Sequence, residues 1–128
     1  MNQKLLVDTS VWIDYFRDNS HTTEFLEKQL LEDNVYIVGI IVSELLQGIK
    51  NETDREIIRN SLDAINYINM NYADWIRAGD ISYSLRKNGV TLPLTDIAIA
   101  AAAIENKLTV VTNDKHFKSI PGLSVMEI

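Results

Sequence analysis

The chain has 128 residues, enough for one domain that buries roughly two-thirds of its unfolded surface without covalent cross-links. Hydrophobic residues make up 46% and charged residues 23%, as in ordinary globular proteins, and the formal net charge is −6. The lack of cysteine excludes disulfides and thiolate metal sites. The negative charge disfavours tight non-specific binding to nucleic acid, which depends on Lys and Arg. We expect a single domain over residues 1–128.

The sequence shows neither a signal peptide nor a membrane span. The first residues lack the long apolar segment of a signal peptide. The longest apolar run, residues 97–104, is far shorter than the about 20 residues of a membrane span. We expect a cytoplasmic protein.

Short hydrophobic segments alternate with segments of helical spacing, which favours an α/β fold with a mainly parallel sheet. The predicted strands are Lys4–Asp8, Val35–Val38, Tyr67–Asn69, Leu108–Thr112 and an edge strand, Leu123–Glu127. The predicted helices are one that follows Asp8, then Thr22–Glu32, Ile40–Lys50, Glu52–Ile65, Asp74–Lys87 and one from Pro93 to about Asn106. Thr9 or Ser10 is the predicted cap of the first helix, and Asn88-Gly89 the left-handed end of the fifth. We assign the aromatic side chains of Trp12, Tyr15 and Phe16 to the core or to an interface, and Trp75 to the core.

Four of the 18 carboxylates lie in unusual places. Asp8 ends a hydrophobic strand, and Asp114 closely follows another. Glu44 interrupts an apolar helix, and Asp96 lies in the first turn of an alanine-rich helix. Ligands of open α/β sheets bind outside the carboxyl ends of the strands, where Asp8 and Asp114 fall. A helix N-terminus beside that edge would add Asp96.

Each acid also has a structural interpretation. Asp8 could cap a helix, and Asp114 could stabilise a turn. Asp96 could complement the helix dipole. Glu44 could pair with a lysine or arginine, because an unpaired buried carboxylate is costly.

Together, the four acids favour a divalent-cation site. Oxygen ligands suit Mg²⁺ or Mn²⁺. Two carboxylates 4 Å apart repel by about 4 kcal/mol at an effective dielectric near 20, and a divalent ion offsets that repulsion. Such a site can hydrolyse phosphodiesters, or it can hold a structural ion.

Four segments carry a family resemblance: VDTSVWIDYF, VSELLQG, LPLTDIAIAAAAIENKLTVVTNDKHF and PGLSV. In this order and combination they resemble the PIN-domain nucleases, and within them the VapC-type toxins of bacterial toxin–antitoxin pairs. The resemblance implies a parallel sheet of four or five strands flanked by helices. It also implies an endonuclease that cuts RNA with Mg²⁺ or Mn²⁺.

The resemblance further implies the roles of individual residues. Asp8 and Asp96 match the core metal ligands, while Glu44 and Asp114 complete the acidic pocket. The supporting hydroxyl residues that match the family pattern are Ser10 and Thr112. We expect water to attack the phosphorus and the 3′ oxygen to leave, giving a 5′-phosphate and a 3′-hydroxyl. This reaction needs no histidine base, and we assign His21 and His116 to the surface.

Four basic residues flank these motifs: Arg86, Lys87, Lys115 and Lys118. They can contact RNA phosphates, or they can be solvated charges and dipole partners at a helix end. The resemblance implies two protein partners, a cognate antitoxin and a second copy of the chain. The dimer is expected to use helical surface from the first half or from the predicted helix Asp74–Lys87.

Two other functions remain open from the residues alone. One is a nuclease-like binding module that holds a partner or a structural metal without turnover. The other is a metal-dependent phosphohydrolase or DNA nuclease that uses the same acids. A Rossmann nucleotide-binding protein is disfavoured, because no glycine-rich loop follows the first strand.

Overall fold

The structure, a computed structural model, describes residues 3–128. Over these residues five strands alternate with six α-helices and one short 3₁₀ helix. The strands are β1 (Leu5–Val7), β2 (Val35–Val38), β3 (Asn66–Ile68), β4 (Thr109–Thr112) and β5 (Ser124–Glu127). The α-helices are α1 (Thr9–Phe16), α2 (Ser20–Leu31), α3 (Gly39–Gln47), α4 (Glu52–Leu62), α5 (Tyr72–Lys87) and α6 (Leu94–Asn106). The 3₁₀ helix spans Lys115–Ser119.

The five strands form one sheet in the order β3-β2-β1-β4-β5, and every neighbouring pair is parallel. The predicted α/β class and parallel sheet are therefore confirmed, as is the edge position of β5. The central strands β1 and β4 are buried along their whole length, which explains the apolar sequence LLV of β1 and the two valines in the middle of β4. This topology brings the carboxyl ends of β1 and β4 side by side.

The core lies on both faces of this sheet. Helix α6 contributes an uninterrupted buried segment from Ile97 to Ala103. Trp12 is fully buried, and Tyr15 and Phe16 pack partly buried beside it, which confirms their assignment to the core. Trp75 is 44% exposed, so its assignment to the core was wrong. Its side chain instead lines a surface groove beside α3.

Several helix ends differ from the predictions because side-chain caps set them. Helix α5 begins at Tyr72 because Asn71 and Asp74 form a reciprocal capping box, so the predicted start at Asp74 was two residues late. Helix α2 begins at Ser20, where the Asn19 side chain accepts a hydrogen bond from the Thr22 amide.

The C-terminal end of α5 lies where the sequence predicts it. Gly89 has a φ of +81°, and the Val90 amide donates to the Leu85 carbonyl at 2.9 Å. This is the left-handed helix end expected of Asn88-Gly89.

The predicted cap of α1 by Thr9 or Ser10 was wrong. Asp8 occupies the N-cap position, and no side chain there bonds to the helix amides. The hydroxyls of Thr9 and Ser10 are instead bonded to the carboxylates of Glu44 and Asp8.

Within residues 3–128, no helix is both long and apolar enough to cross a membrane.

Candidate active site

The centre of the site is Asp8, which directly follows β1. Its amide donates to the Val111 carbonyl at 2.9 Å, so β1 stays paired with β4 up to this residue. Its side chain is almost fully enclosed, with 6% of the residue exposed. A carboxylate in such a place is costly unless hydrogen bonds or a cation compensate it.

Two hydroxyl groups compensate part of that cost. Oδ2 of Asp8 accepts hydrogen bonds from Thr112 Oγ1 at 2.8 Å and from Ser10 Oγ at 3.0 Å. Thr112 is fully buried, and its hydroxyl also accepts from the Asp114 amide at 2.9 Å. One threonine hydroxyl thus ties the carboxylate after β1 to the residue that follows β4. This places both supporting hydroxyls, predicted from the family pattern, beside Asp8.

A second group of side chains lies next to this pair. Asp96, in the first turn of α6, and Asp114 both approach the imidazole of His116. His116 Nδ1 is 3.3 Å from Asp96 Oδ2 and 3.3 Å from Asp114 Oδ1. One ligand atom from each of these three residues lies within 4.8 Å of the others.

Asp8 also lies near enough to Asp96 for its charge to act on that carboxyl group. Burial raises the pKa of the Asp96 carboxyl, and the negative charges of Asp8 and Asp114 raise it further. A hydrogen bond with His116 and its charge act in the opposite direction, but the net pKa shift is upward. Asp8 and Asp114 therefore each repel Asp96 at the carboxyl edge of the sheet, and a divalent cation would relieve this repulsion.

Glu44 lies to one side of this group, on α3. Its Oε1 accepts a hydrogen bond from Thr9 Oγ1 at 2.7 Å. Within residues 3–128, no lysine or arginine forms an ion pair with Glu44, so the alternative interpretation that a basic side chain pairs with it was wrong. It shares a groove of about 550 Å³ with Thr95, the neighbour of Asp96. Of the four predicted acids, the structure brings Asp8, Asp96 and Asp114 together and places Glu44 on the adjoining wall.

The sequence analysis missed the position of His116. Its side chain is half exposed, as expected for a surface residue, but its ring lies between two of the predicted ligands. The signal was the spacing Asp114-x-His116 after a buried strand. A short 3₁₀ turn folds the two residues onto each other, and the Asp114 carboxylate accepts from the His116 amide at 2.9 Å. His21 is exposed near the start of α2, as predicted.

Asn113 is a second residue that the sequence analysis did not single out. Its Nδ2 donates to Asp14 Oδ2 at 3.0 Å, and its amide donates to Ser10 Oγ at 3.4 Å. These bonds join the loop after β4 to α1 and help to fix the Ser10 hydroxyl.

The four predicted RNA-contacting residues differ in their surroundings. Arg86 and Lys87 lie in the last turn of α5, where they also complement the helix dipole. Lys118 pairs with Glu127 at 2.7 Å. Among the ion pairs of residues 3–128, none links these four side chains to the acidic group. Their contact with RNA stays a prediction.

The donor atoms fit a hard divalent cation. The side chains of Asp8, Asp96 and Asp114 offer carboxylate oxygens, and no thiolate exists in the chain. Ser10 and Thr112 occupy one oxygen of Asp8 and orient it.

Comparison with known proteins agrees with this fold. The family model of the PIN domain matches residues 5–123. The chain belongs to the PIN domain family. It is 25% identical to Ribonuclease VapC11 of Mycobacterium tuberculosis, over 96% of each chain.

Solved structures show the same likeness. VapBC2 from Rickettsia felis, bound to a DNA fragment from its promoter, superposes with a TM-score of 0.87 at 23% identity, over 98% of this chain and 99% of that one. A toxin–antitoxin complex from Klebsiella pneumoniae superposes with a TM-score of 0.72 at 28% identity, over 98% of this chain and all of that one.

Proposed function

We propose that this chain is an endoribonuclease that depends on Mg²⁺ or Mn²⁺ and serves as the toxin of a toxin–antitoxin pair. The observation that carries the proposal is the convergence of Asp8, Asp96 and Asp114 at the carboxyl edge of the sheet. A shared Thr112 hydroxyl links two of these acids, and their charges raise the pKa of the third. The naming of relatives as ribonucleases supports RNA as the substrate.

Each residue has a role in this proposal. Asp8 and Asp96 hold the cation, and Glu44 and Asp114 complete the pocket directly or through water. Ser10 and Thr112 fix the rotamer of Asp8, so that its second oxygen is available to a ligand. When bound, the cation would neutralise charge on the scissile phosphate and make water a better nucleophile. Arg86, Lys87, Lys115 and Lys118 are proposed to contact flanking phosphates.

Substrate competition tests this proposal. Purified protein is incubated with RNA, single-stranded DNA and a small phosphate ester, in Mn²⁺ or in Mg²⁺. We expect RNA cleavage that Asp96→Asn reduces by at least about 100-fold, as loss of charge stabilisation at an active site does. Asp63→Asn is the matched control, because Asp63 is an exposed residue at the end of α4.

The two alternatives give different results in the same assay. Preferred hydrolysis of DNA or of the phosphate ester would assign the acids to another metal-dependent hydrolase. Metal binding without turnover on any substrate would favour the binding module.

The proposed antitoxin has a suitable surface. A groove of about 570 Å³ runs between α1, α3 and α4. The exposed apolar side chains of Ile13 and Ile57 line it, together with the charged side chains of Arg17, Lys50 and Asp54. Glu44 also lines it, so the groove is continuous with the acidic site. We propose that an antitoxin segment lays apolar side chains in the groove and a basic side chain near the acids. The Klebsiella neighbour, itself described as a toxin–antitoxin complex, supports such a partner.

Substitution in this groove separates binding from catalysis. Ile57→Asp is expected to weaken capture of the proposed cognate antitoxin while nuclease activity is kept. Leu31→Asp, on α2 and 89% exposed, is the control. Equal capture by both variants would exclude this groove as the antitoxin site.

We also propose a homodimer through α5. Its outer surface carries Tyr72, Ile76 and Tyr83, which are 80%, 48% and 64% exposed. Such a row of large apolar side chains is typical of a surface that a partner covers. Light scattering at micromolar concentration should give a dimer that Ile76→Asp dissociates. A monomeric parent protein would contradict this part of the proposal.

A further inference from the structure

The imidazole of His116 occupies an unusual position between two carboxylates. Its Nδ1 is 3.3 Å from an oxygen of Asp96 and 3.3 Å from an oxygen of Asp114. A good N–H···O hydrogen bond is about 2.9–3.0 Å long, so the nitrogen makes an optimal bond to neither oxygen. It is instead equidistant from both, as one member of a set of three donor atoms.

We propose that His116 is a ligand of the divalent cation, through Nδ1, and that this nitrogen shifts the preference of the site from Mg²⁺ towards Mn²⁺. The inference rests on the proposed metal site and adds a residue to it. The donor atoms that lie within 4.8 Å of one another are this nitrogen and one carboxylate oxygen each of Asp96 and Asp114, and the proposed ligand Asp8 completes the set.

The spacing of the donor atoms fits a coordination shell. Ions of this kind have metal–ligand distances of about 2.1 Å, so adjacent ligands at right angles are about 3.0 Å apart. The two distances of 3.3 Å from Nδ1 are close to this value. Small rotations of exposed side chains are enough to close the remaining difference, because His116 is 52% and Asp114 38% exposed.

The backbone of His116 is held in place before any ion binds. Its amide donates to the Asp114 carboxylate at 2.9 Å. The next residue, Phe117, is completely buried and anchors the short 3₁₀ helix in the core. The backbone that carries the ring is therefore fixed beside the acids, which lowers the entropic cost of ligation.

The nitrogen donor has a consequence for metal choice. Mg²⁺ takes oxygen ligands almost exclusively and keeps its waters, whereas imidazole suits transition metals. A histidine in the shell therefore favours Mn²⁺ over Mg²⁺ more than carboxylates alone would. Loss of the histidine should weaken Mn²⁺ binding more than Mg²⁺ binding.

Electron spin-echo spectroscopy of bound Mn²⁺ tests the inference directly, because it detects a ¹⁴N nucleus that coordinates the ion. The chain has two histidines, which makes His21→Gln the matched control for His116→Gln. We expect a nitrogen signal in the parent protein and in His21→Gln, and none in His116→Gln. Thermal melting would confirm that each variant is folded.

Titration calorimetry supplies the second measurement. His116→Gln should lower Mn²⁺ affinity at least about tenfold and reduce the ratio of Mn²⁺ to Mg²⁺ affinity. Loss of a residue that only supports a metal ligand already lowers metal affinity by about 10–100-fold, so loss of a ligand should cost at least the lower figure. Bound Mn²⁺ that gives no nitrogen signal, with affinity unchanged in His116→Gln, would overturn the inference and leave the acidic site intact. Failure of Mn²⁺ to bind, or binding indifferent to Asp96→Asn, would overturn the proposed metal site as well.

Discussion

Thr112→Val removes one hydroxyl from the centre of the site and keeps the shape of the side chain. That hydroxyl makes two hydrogen bonds, as donor to the Asp8 carboxylate at 2.8 Å and as acceptor from the Asp114 amide at 2.9 Å. Because Thr112 is fully buried, water cannot replace its hydroxyl without rearrangement. A hydrogen bond to a charged group contributes about 1.5–3 kcal/mol and a neutral one about 1 kcal/mol. We therefore expect a loss of about 2–4 kcal/mol in the free energy of unfolding.

Urea unfolding of the metal-free protein at neutral pH measures this loss. Thr112→Ser is the control, since it keeps the hydroxyl and removes one methyl group, at a cost of about 1 kcal/mol. The valine variant should be less stable than the serine variant by at least about 1 kcal/mol. In thermal melting, each kcal/mol lowers Tm by about 3–5 °C for a domain of this size. A valine variant as stable as the serine variant would refute the link between the two acids through Thr112.

The remaining predictions concern charge, metal and backbone. The pKa of Asp96 is raised in the folded protein, so ionisation of this carboxyl group opposes folding. The stability that the protonated group contributes is lost as the pH rises from the ordinary pKa through the raised pKa of the folded protein. Asp96→Asn should therefore raise the free energy of unfolding of the metal-free protein at pH 7. Urea unfolding should show that this gain disappears below pH 3.8, the ordinary pKa of the carboxyl group. A gain that persists in acid would show that the charge of Asp96 is not its cause. Mn²⁺ at 100 times its Kd should raise the free energy of unfolding by about 2.7 kcal/mol, which differential scanning calorimetry can measure. EDTA should reverse this increase, and Asp96→Asn should lack it. Lys107→Gly should raise the free energy of unfolding, measured with urea, by about 1 kcal/mol. Lys107 ends α6 with a φ of 56°, in the left-handed region that glycine adopts freely. A lower free energy of unfolding would show that the lysine side chain has another role.

Much of the fold could be predicted because the local signals agree with the tertiary structure. The strands around Leu6 and Val110 are apolar on both faces, as strands in the middle of a parallel sheet must be. Asp8 and Asp114 were informative because each carboxylate follows such a strand. The order of the strands then decides that the two ends are neighbours, and this order is not visible in any local pattern.

The wrong or missing predictions share a physical cause. The position of Trp75 depends on which face of α5 meets α6, and the weak helical pattern of α5 does not specify that face. Thr9 and Ser10 were assigned as caps from their local preference, but carboxylates elsewhere in the fold bind both hydroxyls. His116 reaches the acids only because a 3₁₀ turn and α6 bring the chain together there. Contacts between distant segments decide all of these cases.

The measurement that most directly tests the account is cleavage of total cellular RNA by the purified protein, with Mg²⁺, with Mn²⁺ and with EDTA. Asp8→Ala and Asp63→Asn, each checked for folding by thermal melting, are run beside the parent protein. The account predicts discrete RNA fragments with either ion, none with EDTA, none with Asp8→Ala and unchanged fragments with Asp63→Asn. Cleavage that persists in EDTA or in folded Asp8→Ala would contradict the assignment of the acidic site as a metal-dependent ribonuclease.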